Sequence, residues 1–169
     1  MTRVVLLIRH AHAGLAPVGG SDHDRPLTSA GVQQAAALGA WLTEERGTRL
    51  EHVVASTAIR AGATADAIAA AIGGVAAGRS AEPAVTREAR LYNCSLDTFL
   101  SILVASPPGA DAVAVVGHNP TISHAATWLA GSPVSLPTAG AAEIQVDIDS
   151  WTDIVAAAGR GALRALRAG

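Results

Sequence analysis

The sequence predicts an α/β domain with a mostly parallel central sheet, and three observations carry that expectation. Arg3–Ile8 and Ala112–Val116 are short, β-branched-rich runs without polar alternation, the pattern of strands buried on both faces. Segments with helical spacing and capping residues alternate with these and weaker strands, as parallel sheets with crossover helices require. The chain of 169 residues is 50% hydrophobic and 15% charged, which suits one core and excludes general disorder. The expected unit is a single domain over residues 1–169.

In order along the chain, Arg3–Ile8 is the first strand, and residues 13–26, rich in glycine and proline, form a loop. Thr28 caps a helix whose apolar face is Val32, Ala35, Ala36, Leu38, Gly39 and Leu42, running to Arg46 and stopped by Gly47. Glu51–Ala55 is a second strand, and Ser56 or Thr57 caps an alanine-rich helix through Ile72, ended by Gly73 and Gly74. Ala84–Thr86 is a weak third strand. Ser95 caps a helix through Leu103, and Ala112–Val116 is the fourth strand. Asn119 and Pro120 form an N-cap and N1 pair for a helix reaching Leu129. Glu143–Ile148 alternates as a half-exposed strand should. The tail from Gly159 has helical propensity, but the spacing of Leu163 and Leu166 does not decide its state.

Composition narrows function. The net charge is −2, so no excess of positive charge drives nucleic-acid binding by counterion release, and no nucleic-acid partner is expected. All 12 basic residues are arginine. Cys94 stands alone, which excludes an intrachain disulfide or a cysteine-based zinc site. No apolar run approaches the ~18 residues that span a bilayer, and Arg9 and His10 follow the first apolar run in place of a cleavage site, so a cytoplasmic protein without membrane contact is expected.

Ligands of α/β sheets bind beyond the carboxyl ends of the strands. There the sequence sets Arg9-His10 after the first strand, Arg60 on the first turn after the second, and Gly117-His118-Asn119-Pro120 after the fourth. Two arginines and two histidines converging at strand ends suit an oxyanion of phosphate size, since guanidinium forks make bidentate charge-assisted contacts. Helix N-termini near Thr57 and Asn119 would add backbone N–H donors.

These residues resemble a known family. Leu7-Ile8-Arg9-His10-Ala11 is similar to the Arg-His-Gly signature of the histidine phosphatase superfamily, and Ala55–Ala65 resembles its Ser-Pro-x-x-Arg-Ala-x-Gln-Thr-Ala segment. Val116–Pro120 matches its second histidine motif, and Asp24-Arg25-Pro26-Leu27-Thr28-x-x-Gly31 resembles the compact SixA-like phosphohistidine phosphatase branch. The resemblance implies a three-layer α/β/α, phosphoglycerate mutase-like fold. It implies a phosphatase in which His10 takes the phosphoryl group covalently while Arg9, Arg60 and His118 neutralise its oxygens and Arg25 completes the phosphate pocket. No metal and no cofactor are expected.

The departures matter too. Ala11 replaces the signature glycine, which implies a backbone with φ below zero there. No acidic residue matches the family's acid; Glu88, Tyr92 and Asp97 are the nearest candidates. A phosphomonoester needs a proton for its alkoxide, whereas a phosphorylated imidazole leaves neutral once protonated on its other nitrogen, so the missing acid favours an N–P substrate. The partner expected is thus a protein carrying phosphohistidine. A small phosphorylated molecule on the same fold is the first alternative, and a noncatalytic module that binds phosphorylated ligands the second. Arg25 has a plain alternative as the ion-pair partner of Asp22 or Asp24, and His10-x-His12 has an alternative as a metal chelate. His12 is expected at the entrance, and His23, His52 and His124 as surface or packing residues.

Overall fold

Strand β1 (Thr2–Arg9) lies near the middle of a six-stranded sheet of order β3-β2-β4-β1-β5-β6, in which β2 is His52–Ser56, β3 Ala84–Glu88, β4 Ala112–Gly117, β5 Ala141–Asp147 and β6 Ala162–Arg167. The computed structural model describes residues 1–46, 49–75 and 82–169. Strands β1 to β4 run parallel, while β5 pairs antiparallel with β1 and β6 antiparallel with β5. The predicted α/β class with its mostly parallel sheet is the observed one.

Because side chains alternate along a strand, β1 feeds two cores. Leu6 and Ile8, with Ala114 and Val116 of β4, face helices α1 (Ser29–Ala40) and α2 (Ile59–Val75). Val5 and Leu7, with Val113 and Val115, face α3 (Leu96–Val104) and α4 (Thr121–Ala130). The three layers follow directly. Thr28 caps α1 by accepting from Gly31 N at 3.0 Å. Gly31 also lies so near the first loop that a Cβ there would stand 2.0 Å from the His12 carbonyl oxygen.

Several local expectations are corrected. The helix after Thr28 does not reach Arg46 as α-helix: Trp41–Arg46 widens to a π turn, where the Thr43 hydroxyl donates to the carbonyls of Gly39 (3.1 Å) and Ala40 (3.0 Å). Gly47 lies outside the described residues. Gly73 and Gly74 do not end α2, which continues to Val75. Asn119 is not the N-cap of α4: a cis peptide joins it to Pro120, the helix begins at Thr121, and the Asn119 side chain instead accepts from Ser123 Oγ (2.7 Å) and donates to Leu136 O (2.9 Å).

Strand β5 is buried over most of its length because β6 flanks it and Arg46 caps Glu143 with contacts of 2.9 and 3.2 Å. The tail is the strand β6. Its helical propensity yields to pairing with the otherwise open edge of β5, and Arg164 Nε adds a bond to Gln145 Oε1 at 2.7 Å. Among the described residues no helix is long and apolar enough to cross a membrane.

Candidate active site

Three neighbouring parallel strands end together and assemble one seat. Arg9 pairs in register with Gly117, so β1 and β4 deliver His10 and His118 side by side, their ring centroids 5.0 Å apart. From β2 come Ser56 and, in the first turn of α2, Arg60. The loop carrying His10 is pinned to the same helix, because Ala11 N donates to Thr64 Oγ1 (3.0 Å) and that hydroxyl donates to Arg60 O (2.7 Å). Ala11 is not among the positive-φ residues, in keeping with an alanine at that turn.

The buried Arg60 guanidinium sits between the two imidazoles. Its Nε donates to His10 Nε2 at 3.2 Å, and its Nη2 lies 3.5 Å from His118 Nδ1. His10 Nδ1 bonds the Ala11 carbonyl at 2.8 Å. Since a carbonyl only accepts, the proton belongs on Nδ1 and the lone pair on Nε2, the atom that faces Arg60. His118 Nε2 lies 2.9 Å from Ser56 Oγ, which leaves its Nδ1 toward the seat. Arg9 donates one Nη1–H to Leu136 O at 3.2 Å, while its buried Nε has no hydrogen-bond partner among the described residues.

Burial governs the charges here. Desolvation, offset by the Ala11 bond and reinforced by Arg60, brings the His10 imidazole down to about 4, and burial with the charges of His10 and Arg60 brings His118 down to about 3. Both rings are neutral at pH 7. The arrangement can hold a tetrahedral oxyanion against arginine N–H groups and offer it one imidazole lone pair.

Other expected residues are placed less centrally. Arg25 donates to Gly14 O (2.7 Å), Ala13 O (3.3 Å) and Asp22 Oδ1 (2.9 Å), so it makes the ion pair with Asp22 and reaches His10 through its field. His10 and His12 take different partners, His12 Nδ1 meeting Thr28 Oγ1 at 2.9 Å. Among the described residues no three His, Cys, Asp or Glu side chains converge as a metal would require. Glu88 is corrected as an acid candidate: it accepts from Arg90 N (2.9 Å), Nε (3.1 Å) and Nη2 (2.8 Å), and Arg90 keeps its carboxyl below the usual range. Asp97 is exposed on the first turn of α3.

His23, expected at the surface or in packing, and Asp22, expected only as a partner of Arg25, both stand in the site. The Asp22 carboxylate meets Arg60 Nη2 at 2.8 Å and the Tyr92 hydroxyl at 2.8 Å. Arg25, Tyr92 and Arg60 together hold it well below the ordinary carboxylate range. Tyr92 stands edge-on to both His118 (5.5 Å) and His23 (5.1 Å), and His23 Nε2 lies 3.0 Å from Thr57 Oγ1. A cleft of about 190 Å³ opens beside His118, between the Leu91–Cys94 and Asn119–Thr121 segments.

Residues 5–91 match the model of the histidine phosphatase superfamily (branch 1). A Mycobacterium tuberculosis protein of uncharacterised function is 32% identical over 158 residues, covering 87% of this chain and 91% of that one. The structure of a proposed phosphohistidine phosphatase SixA from Nakamurella multipartitia superimposes with a TM-score of 0.77 at 33% identity, covering 99% of this chain and 96% of that one. A second, from Agrobacterium tumefaciens, gives 0.76 at 26% identity and covers 99% of each. The chain belongs to the histidine phosphatase superfamily. It is a phosphatase, and within that superfamily it is SixA-like in sequence and structure.

Proposed function

We propose that this chain, acting as one histidine phosphatase domain over residues 1–169, removes phosphoryl groups from phosphohistidine in proteins without a metal ion. The observation that carries the reading is a neutral histidine pair in an arginine-lined seat, beside which the Asp22 carboxyl is held ionised by Arg25, Tyr92 and Arg60. In the first step the lone pair of His10 Nε2 forms a bond to phosphorus as the P–N bond of the substrate breaks. The leaving imidazole keeps that electron pair and is neutral if its distal nitrogen carries a proton. Arg9, Arg60 and His118 bind the oxygens in transfer, with Arg25 adding charge from behind Asp22. Water then attacks phosphorus, the bond to Nε2 breaks, and inorganic phosphate leaves with His10 restored.

The two SixA-like structures above support the substrate class through their descriptions. The cleft beside His118 gives room for a side chain presented by a large partner. Alkyl phosphates need what neither Asp22 nor Glu88 offers, a proton for the departing alkoxide, worth roughly a hundred to ten thousandfold. The test is kcat/KM on a phosphohistidine protein, phosphoramidate and an alkyl phosphate, expected to favour the first two by at least about a hundredfold. An alkyl phosphate turned over as well as phosphoramidate would move the protein to the small-molecule phosphatases. Binding of phosphorylated ligands without turnover would leave a noncatalytic module.

A further inference from the structure

Asp22 is half-exposed on a loop, yet it meets Arg60 twice: Nη1 donates to its backbone carbonyl at 2.5 Å and Nη2 to its carboxylate at 2.8 Å. These contacts occupy the far edge of the guanidinium. The near edge, Nε and the second N–H of Nη2, is the one turned toward His10 Nε2 and His118 Nδ1. Asp22 is itself braced, since Arg25 holds its Oδ1 at 2.9 Å and Tyr92 donates to its Oδ2 at 2.8 Å. Arg25 in turn is tied to the loop through Gly14 and Ala13 carbonyls.

We infer that Asp22 is a positioning residue that grips the outer edge of Arg60 and so aims its inner edge at the phosphoryl seat between His10 and His118. The inference rests on the proposed reading of Arg60 as an oxyanion clamp. A guanidinium has two hydrogen-bonding edges and rotates about its stem, so fixing one edge fixes the other. Asp22 does not serve as the missing acid. Its three donors all stabilise the charged form, so the carboxylate has no proton to give.

A carboxylate beside an anion seat has a second consequence that a purely structural residue lacks. It repels the bound anion while improving the aim of the arginine that stabilises the transition state, so its removal should move binding and turnover in opposite directions. The test is a double-mutant cycle read on phosphoramidate turnover and on inhibition by inorganic phosphate, a ground-state anion. Asp22→Asn keeps the backbone carbonyl and the side-chain size but removes the charge; kcat should fall about tenfold or more, while inorganic phosphate binds as tightly as before or more tightly. In an Arg60→Lys background the same substitution should leave kcat unchanged, because lysine has no fork to aim.

Unchanged kcat in Asp22→Asn, equal losses in both backgrounds, or affinity for inorganic phosphate falling in step with kcat would each overturn the inference. Failure of the phosphohistidine reading looks different: the unmodified chain then prefers an alkyl phosphate. The cycle is in that case read on that substrate, with the same outcomes deciding.

Discussion

Lowering the pH tests the burial of the histidine pair directly. A free imidazole titrating near 6.5 is about 97% protonated at pH 5. His10, brought down to about 4, is then only about a tenth protonated, so its Nε2 lone pair survives. The expected kcat/KM for phosphoramidate therefore stays near its plateau from pH 7 to pH 5 and falls only below that, once the substrate's own titration is divided out. Stability should behave differently. Between about 4 and 6.5 the unfolded chain binds more protons than the folded one, so stability is present in full above 6.5 and is lost as pH falls through that window. For His10 the loss by pH 5 is on the order of 2 kcal/mol, with the coupled His118 extending it to lower pH. Urea unfolding at pH 7 and pH 5, followed by tryptophan fluorescence, measures it, and imidazole NMR titration assigns it. Half-loss of kcat/KM near pH 6.5, with the His10 ring titrating at the same point, would refute the argument from burial.

Three further outcomes follow from particular contacts. Brief incubation with labelled phosphoramidate should trap acid-labile, base-stable label that His10→Ala fails to trap, while Arg60→Ala and His118→Ala slow the chemical step by about a hundredfold or more in rapid-quench experiments. Glu88→Gln should leave turnover within about twofold, measured on the same substrate, because its carboxylate serves Arg90 and the turn after β3. Gly31→Ala should cost about 1–3 kcal/mol by urea denaturation, since its Cβ would lie 2.0 Å from the His12 carbonyl oxygen and the first loop must shift.

The parts of the fold that were legible in the sequence are those whose partners do not alter the local signal. β1 and β4 are buried on both faces wherever they sit, so an unbroken apolar run announces them. The Thr28 and Ser95 caps act within three residues of themselves and were equally visible. β6 was not, because its strand state is conferred by the edge of β5, about twenty residues away in sequence, against a local preference for helix. The end of α2 and the start of α4 failed for a related reason: glycines and an Asn-Pro pair mark boundaries on average, and here helix packing and the Asn119 bonds to Leu136 and Ser123 decide otherwise.

The same distinction runs through the site. Arg9 ends β1, His10 follows it, His118 follows β4, and Arg60 stands in the first turn of the helix after β2; parallel register carries Arg9 beside Gly117, so four positions spread over more than a hundred residues could be set together from the sequence. Asp22 sits in the glycine- and proline-rich loop, and its bonds to Arg60 and Tyr92 cross 38 and 70 residues of chain. No spacing or periodicity encodes such contacts. Their only trace is chemical: a buried-site arginine with no acidic neighbour at its own strand end must find counter-charge elsewhere, and the acidic cluster Asp22–Asp24 is the nearest loop able to supply it. Glu88, the carboxyl at the end of β3, serves Arg90 instead. The carboxylate that the site recruits is held ionised, which suits it to orient Arg60 and unsuits it to protonate a leaving group. A chemistry whose leaving group departs without that proton fits both facts.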